Sequence, residues 1–369
     1  MNFNLINERL EERYNNKLIP GYIVGVIEKG NIVYKTIKNY SENAIFRLAS
    51  MTKPITGFAC LMAESMGLLH IDDDISKYLP DFKNARIGKI ENGVPVFDRY
   101  AKRDIKIRDI LSHSSGFGFS DLTIYQCDHR KVPDTLEEAC KDYASWFIEF
   151  DPGTKSAYSG TIALDIVCRI IEITSGMDYV SFLKKYVLEP LEMVDTTYEL
   201  NSEQLTRLVD MYDMDEKRNM FIRNFNEPTG FEGFKVGYPS GTAGLFSTFH
   251  DYCNFATMLA DGGVFKGKRI IGNDYICFYK EPLLNPDKVE GVDPVVNWGH
   301  AVYVRCGEAS FQPLEVGSYG WSGAYSTHFF VAPYERRAVV MMTNLTNDGG
   351  SGSPNIAELE KAFADALKE

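Results

Sequence analysis

The segment FRLASMTKPITGF, residues 46–58, sets a serine and a lysine three positions apart, Ser50 and Lys53, beside Pro54. Residues i and i+3 share one face of a helix, so a helix here makes the hydroxyl and the amine neighbours. Pro54 tells where that helix begins. A proline lacks an N–H and clashes with the carbonyl four residues back, so it is tolerated only in a first turn. The residue four back is Ser50. The helix is therefore expected to start at or just after Ser50, with its hydroxyl at the positive end of the dipole.

A serine becomes a nucleophile when a base takes its proton. A lysine with a pKa of about 10.4 is neutral in about one molecule in 2,500 at pH 7, a deficit of roughly 4.6 kcal/mol. Burial moves a lysine by up to about 3–5 units, which is the size required. A tyrosine offers a second route. It starts near ~10, and an ammonium about 4 Å away at an effective dielectric of ~20 contributes roughly 4 kcal/mol, or about three units. Such a Lys–Tyr pair shares one proton and titrates as a unit. Spacing alone selects nothing, because Ser181 and Lys184 in SFLK repeat it. There Val180, Leu183 and Val187 are expected to form the buried stripe, turning Ser181 and Lys184 to solvent.

Other chemistries lack their residues. The sequence holds no G-x-S-x-G and no H-E-x-x-H. Of its 6 His, His113 in SHSSG is expected to be a satisfied loop histidine, and His328 to pack on a strand rather than face a pocket. Arg47 reads as structural. Asp72-Asp73-Asp74 lacks the glycine and distal glutamate of a calcium loop and reads as a solvated turn. No metal site and no cofactor is expected.

The positioning elements follow from periodicity. GYIVGVIEKGNIVYKTI alternates apolar residues around Lys29-Gly30-Asn31, a hairpin signal. Residues 58–69 and 248–259 read as helices. Ile162, Ile166, Ile170 and Ile173, with Leu164, Val167 and Ile171, give an apolar helix face that stops at Gly176, a C-cap. Past residue 296 the period changes. WGHAVYVRC, SYGWSGAYSTHFFVAP and RRAVVMMTN read as strands, the last two joined at Tyr334-Glu335; GGSGSPN reads as a flexible link and IAELEKAFADALKE as a closing helix. Strands at both ends and helices between suggest an α+β chain, with one antiparallel sheet built from both termini, flanking helices and a mostly helical insertion. The expected division is a sheet domain of 1–64 with 235–369, a helical domain of 65–234, and an active site at their interface.

The 369 residues suffice for a large core, and 44% apolar with 24% charged residues is ordinary for a globular chain. A net charge of −12 without a Lys/Arg cluster argues against nucleic acid or anionic membrane as a partner. No segment approaches the ~20 apolar residues of a membrane span, and the charged N-terminus does not resemble a signal peptide. Seven scattered Cys without a C-x-x-C read as reduced thiols in a cytoplasm. The sequence leaves oligomeric state open.

The nucleophile segment resembles that of the serine β-lactamase-like hydrolases, which include class C β-lactamases, D-alanyl-D-alanine carboxypeptidases, D-aminopeptidases and family VIII carboxylesterases. Four further segments match in the family's order. They are IKIRDILSHSSGFGF, DPGTKSAYSGTIALDIVCRIIEITSG, PSGTAGLFSTFHDYCNFATMLADGG and GWSGAYSTHFFVAP, and the resemblance spans roughly residues 20–345. It implies the β-lactamase/transpeptidase-like fold, with Ser50 as acylated nucleophile and Lys53 and Tyr158 as the acid/base pair. It implies an oxyanion hole from the backbone N–H groups of Ser50 and Ala324. Tyr158, after Pro152-Gly153, is expected to open a helix whose dipole favours a phenolate. Ser247, Tyr238 and Phe119, close to these motifs, are expected to line the cleft.

Two departures bear on the substrate. Class C β-lactamases end the tyrosine motif in an Asn that contacts the substrate amide, whereas Tyr158-Ser159-Gly160 ends in glycine. Their third motif opens with a carboxylate-holding Lys, whereas this one reads Trp321-Ser322-Gly323, closer to the esterases. Gly160, Trp321, Ser322 and Gly323 are thus the expected substrate-binding positions, and a small neutral ester or amide the expected substrate of a carboxylesterase-like enzyme. A penicillin-recognising activity (β-lactamase, D-alanyl-D-alanine carboxypeptidase or D-aminopeptidase) is the alternative. A non-catalytic binding module is disfavoured, having no need of Ser50, Lys53 and Tyr158 together.

Overall fold

A computed structural model describes residues 2–368 except 216, 218, 226 and 309–312. Its centre is a seven-stranded antiparallel sheet drawn from both ends of the chain. From one edge to the other run Val296–Trp298, Tyr303–Arg305, Tyr319–Ser322, His328–Ala332, Arg337–Met342, Tyr22–Glu28 and Asn31–Lys38. The N-terminal hairpin joins the C-terminal strands in the register Ile23↔Met342 to Glu28↔Arg337. Its turn is the expected one, with Lys29 and Gly30 both at positive φ (48° and 84°), the geometry that matches the twist of the flanking strands.

Both faces of the sheet are covered, so its inner strands are apolar on both sides rather than alternating. Val24, Val26, Phe330, Val339 and Met341 face the two terminal helices, Phe3–Asn15 and Pro354–Lys368, which supply Ile6, Leu10, Leu359 and Phe363. Ile23, Ile27, Phe329 and Val340 face the Phe249–Ala260 helix with Phe249, Tyr252 and Phe255. Each such side chain, fully buried, stabilises by roughly 1.5–3 kcal/mol. Gly25 is needed between them, because a Cβ there would lie 2.4 Å from the Phe249 ring.

The α+β reading, with its two-ended antiparallel sheet, holds. Several details differ. WGHAVYVRC and SYGWSGAYSTHFFVAP each fold as two strands around a tight turn, because Ala301 and Ser326 take positive φ (56° and 66°) and reverse the chain. GGSGSPN is tied down, with Gly349 bridging to Tyr325 and the Ser353 hydroxyl donating to Asp348. The helix Ala163–Ser175 ends at a left-handed Gly176 as expected, but Ile173 is exposed. Residues 65–234 also hold a three-stranded sheet of Arg86–Glu91, Val94–Tyr100 and Phe147–Ile148, and a hairpin of Met211–Met214 with Met220–Arg223. The Asn92-Gly93 turn of the first hairpin was a local signal for it, both residues being at positive φ. No helix among the described residues is long and apolar enough to cross a membrane.

The helix that carries the candidate lysine, Thr52–Ser65, is buried along nearly its whole length. Gly57 sits inside it because a Cβ there would meet the His300 carbonyl oxygen at 2.1 Å. Gly→Ala in an open helix stabilises by up to about 1 kcal/mol. Gly57→Ala is expected to reverse that sign and destabilise by about 1–3 kcal/mol through overpacking. The midpoint of urea unfolding checks it, and an unchanged or raised midpoint would refute the close approach.

Candidate active site

Ile45–Arg47 pairs antiparallel with Phe246–Thr248 and delivers the chain to the nucleophile turn. Ala49 then takes φ 45°, a left-handed conformation that costs a non-glycine residue on the order of 1–2 kcal/mol. One 3-10 turn, Ala49–Met51, precedes the helix starting at Thr52, so Pro54 is its third residue and deprives no carbonyl. The strained turn is held from outside: Leu48 N–H donates to Leu245 O (3.0 Å), and its carbonyl accepts from Thr327 Oγ1 (3.2 Å). Alanine is not a residue type that announces positive φ, so the sequence reading passed over Ala49.

Lys53 is fully buried. Its Nζ lies 3.0 Å from Ser50 Oγ, 3.2 Å from Gly160 O and 3.1 Å from Thr242 O. No carboxylate among the described residues is within ion-pair distance of it. Burial lowers its pKa, and the neighbouring Tyr158 partly opposes the shift. The geometry serves either charge state. A neutral amine can donate to the two carbonyls and offer its lone pair to the Ser50 hydroxyl; an ammonium can donate to all three oxygens.

Tyr158 Oη lies 2.8 Å from Ser50 Oγ on the other side, and its ring centroid is 4.9 Å from Lys53 Nζ. The helix-dipole expectation for Tyr158 fails: it sits in an extended loop five residues before the helix at Ala163. Its oxygen instead accepts from the indole Nε1 of Trp321 at 3.3 Å. The ring is packed by Trp298 (5.9 Å, near parallel), Trp321 (5.2 Å) and His113 (4.7 Å). His113 is buried and does more than fill a loop. Its carbonyl accepts from Ala157 N–H (2.8 Å) and its Nδ1 from Ser159 N–H (3.1 Å), bracketing Tyr158 from both sides in the chain. Burial, with Lys53 adding to it, pushes its pKa well below the usual range, so the ring is neutral with its proton on Nε2.

The third motif abuts the nucleophile turn. A Cβ on Gly323 would lie 2.2 Å from Thr327 Oγ1 and 2.3 Å from Leu48 O, so only glycine allows that approach. No acceptor among the described residues takes the backbone N–H of Ser50 or of Ala324. Trp321 faces Tyr158, and Ser322, next along the strand, therefore points to the opposite face. Its hydroxyl is 2.8 Å from His328 Nδ1, and His328 Nε2 is 3.3 Å from Glu360 of the C-terminal helix. Ser322 is thus removed from the expected substrate-binding side chains, and His328 packs as anticipated. Gly160 faces the cleft, with the exposed Phe119 ring 3.2 Å from where its Cβ would be.

Residues 6–362 match the Beta-lactamase family. The chain belongs to that family. Among its relatives is esterase EstB of Burkholderia gladioli, 24% identical, aligned over 96% of this chain and 93% of the esterase. Two solved structures share the fold. EstCE1, described as a hydrolase with promiscuous acyltransferase activity, superposes with a TM-score of 0.79 at 21% identity over 98% and 97% of the two chains. Simvastatin synthase LovD from Aspergillus terreus gives 0.80 at 18% identity over the same shares. The chain is a β-lactamase-like serine hydrolase.

Other expectations about the cleft separate. Tyr238 is buried, donating to Asp165 (2.8 Å), and Ser247 is buried beside Thr196 (2.8 Å), so neither lines the site. Arg47 is structural: its Nε donates to Thr229 O (3.0 Å), it stacks 4.6 Å from Phe225, and burial lowers its pKa to about 10. Ser181 and Lys184 are exposed as expected, though Val180 is exposed too; Phe182 takes its place beside Leu183 and Val187. No group of acidic, His and Cys side chains among the described residues could hold a metal.

Two outcomes follow from this geometry. Gly323→Ala is expected to push the third motif off Leu48 and slow labelling of Ser50 by a fluorophosphonate about tenfold or more; a full labelling rate by intact mass would refute the contact. The second concerns stability. Lys53 titrates near 10.4 in the unfolded chain and lower in the folded one, so the unfolded state binds more protons between the two values. The penalty is present in full below the folded value and is relieved as pH rises through that window. Relative to Lys53→Met, the wild type should therefore gain stability from pH 7 toward pH 10 in denaturant titrations. A flat difference would mean that Lys53 is not perturbed.

Proposed function

We propose that the protein hydrolyses a neutral carboxylic ester, or a comparably neutral amide, through an acyl-enzyme on Ser50. The observation that carries the reading is Trp321, whose indole N–H donates to the Tyr158 oxygen at the place in the third motif where a lysine would hold a substrate carboxylate. Gly160 adds to it by presenting no side-chain amide. The esterase relative supports the substrate class.

In this reading the Ser50 proton passes to the Lys53–Tyr158 pair, and Ser50 Oγ attacks the substrate carbonyl carbon. The resulting oxyanion takes the free N–H groups of Ser50 and Ala324, donors typically worth about 3–4 kcal/mol in such a transition state. The bond to the alcohol breaks as the pair returns its proton to the leaving oxygen. Water then attacks the acyl carbon, gives a proton to the same pair, and Ser50 is released with the carboxylic acid. Trp321 holds the Tyr158 oxygen beside Ser50 by one hydrogen bond. The reacting atoms would lie where the sheet unit of 1–64 and 235–369 meets the inserted 65–234.

The test is hydrolysis of p-nitrophenyl butyrate and of a chromogenic cephalosporin by wild type and Ser50→Ala. Ester turnover that falls at least about a thousandfold in Ser50→Ala, with little cephalosporin turnover, is the expected result. Fast Ser50-dependent cephalosporin turnover would favour the penicillin-recognising alternative. Ester turnover unchanged in Ser50→Ala would remove Ser50 from the chemistry.

A further inference from the structure

Lys53 has no ion-pair partner among the described residues, yet a carboxylate is buried one layer behind it. Asp165, in the first turn of the Ala163–Ser175 helix, has no exposed surface. Its Oδ1 accepts from Ser240 Oγ (2.8 Å), and its Oδ2 from Tyr238 Oη (2.8 Å) and Tyr143 Oη (3.3 Å). A buried carboxylate without a direct cation is costly unless its lone pairs are filled, and here three hydroxyls fill them.

Those partners lead to Lys53. Ser240 Oγ also accepts from Thr242 N–H (3.2 Å), and Thr242 O is one of the two carbonyls that receive the lysine amine. The other, Gly160 O, lies on the segment that enters Asp165's own helix. Between these residues Gly241 is pressed against Leu164 O and Cys168, where a Cβ would lie 2.9 Å and 2.3 Å away, and its carbonyl accepts from Thr56 of the lysine's helix (2.8 Å). The turn 240–242 is therefore clamped between Asp165 and the helix that carries Lys53.

We propose that Asp165 is a positioning residue for this site, a buried carboxylate that braces both carbonyl-bearing segments around Lys53 and supplies the negative charge that amine lacks. The proposal rests on Lys53 being the proton-carrying neighbour of Ser50. The groups facing Lys53 are Tyr158, His113 and, across the turn, Asp165. Asp165 faces Tyr143, Tyr238, Cys140 and Cys168, and the Arg130 guanidinium, which donates to Tyr143 Oη at 3.0 Å. Burial raises the Asp165 carboxyl to about 6 while its hydroxyl partners lower it, and three donors on its two oxygens favour the charged form. An anion there favours the protonated form of Lys53, opposing the lowering that burial imposes.

The experiment uses the full chain carrying Asp165→Asn, with two readouts: titration of Lys53 by NMR of 13Cε-lysine, its signal assigned through Lys53→Met, and the pH profile of Ser50 labelling by a fluorophosphonate. Removing the anion should lower the Lys53 midpoint by about half a pH unit or more and shift the acid limb of labelling the same way. A structural role alone would slow labelling at every pH and leave the Lys53 midpoint in place, which would overturn the proposal. Should Asp165→Asn not fold, Tyr238→Phe with Ser240→Ala strips two hydrogen bonds from the carboxylate. Those hydroxyls hold its pKa down, so their loss raises it, and the Lys53 midpoint is expected to fall too; an unmoved midpoint overturns the proposal equally. A wild type whose Ser50 resists labelling at every pH would fail the hydrolase reading, while the Lys53 titration would still decide the role of Asp165.

Discussion

An amine enclosed without a counter-ion is the constraint around which this structure is arranged. Lys53 has no exposed surface and, among the described residues, no carboxylate at ion-pair distance, so its lost hydration is offset at contact range chiefly by three oxygens. Two of those oxygens are backbone carbonyls, from Gly160 and Thr242, more than a hundred and nearly two hundred residues away in sequence. Holding them in place requires the loop before the Ala163–Ser175 helix and the 240–242 turn to meet at one point. Much of the buried polar structure around the cleft, from Asp165 and Ser240 to His113, secures those two segments.

The same enclosure gives the chemistry its range. Ser50 lies between a lysine whose proton is loosened by burial and a tyrosine whose oxygen takes an indole N–H. Each member of that pair reaches Ser50 Oγ directly, Lys53 at 3.0 Å and Tyr158 at 2.8 Å. The strained Ala49 and the glycine-only approach of Gly323 to Leu48 belong to the same design, because they bring the two free N–H groups to the nucleophile. Local strain of this kind persists where surrounding bonds over-determine it, as Leu245 and Thr327 do here.

Aromatic side chains set the character of the cleft. Trp298 and Trp321 lie 4.6 Å apart and sandwich Tyr158 with His113, while Phe119 stands exposed over Gly160. These surfaces offer apolar area and a single indole N–H where a carboxylate-binding lysine would present a full charge. In a protein of net charge −12, a neutral substrate meets no electrostatic penalty on approach.

Residue types and local periods determined a good deal by themselves. The hairpin at Lys29-Gly30, the C-cap at Gly176, the helix start marked by Pro54 and the Ser50–Lys53 pairing all depend on neighbours within a few positions, and all were legible. The family resemblance located Tyr158 and the third motif for the same reason, through short local strings. What depended on distant contacts was not legible. Nothing local says that Ser322 turns toward His328 and Glu360, that Tyr238 is spent on Asp165, or that Ala49 adopts a conformation foreign to its type. The hydrogen bond to the Tyr158 oxygen likewise comes from Trp321 across the sheet edge, and no helix begins at Tyr158. A side chain's type limits which bonds it can make, but only the assembled core decides which partner is within 3 Å and which water is excluded.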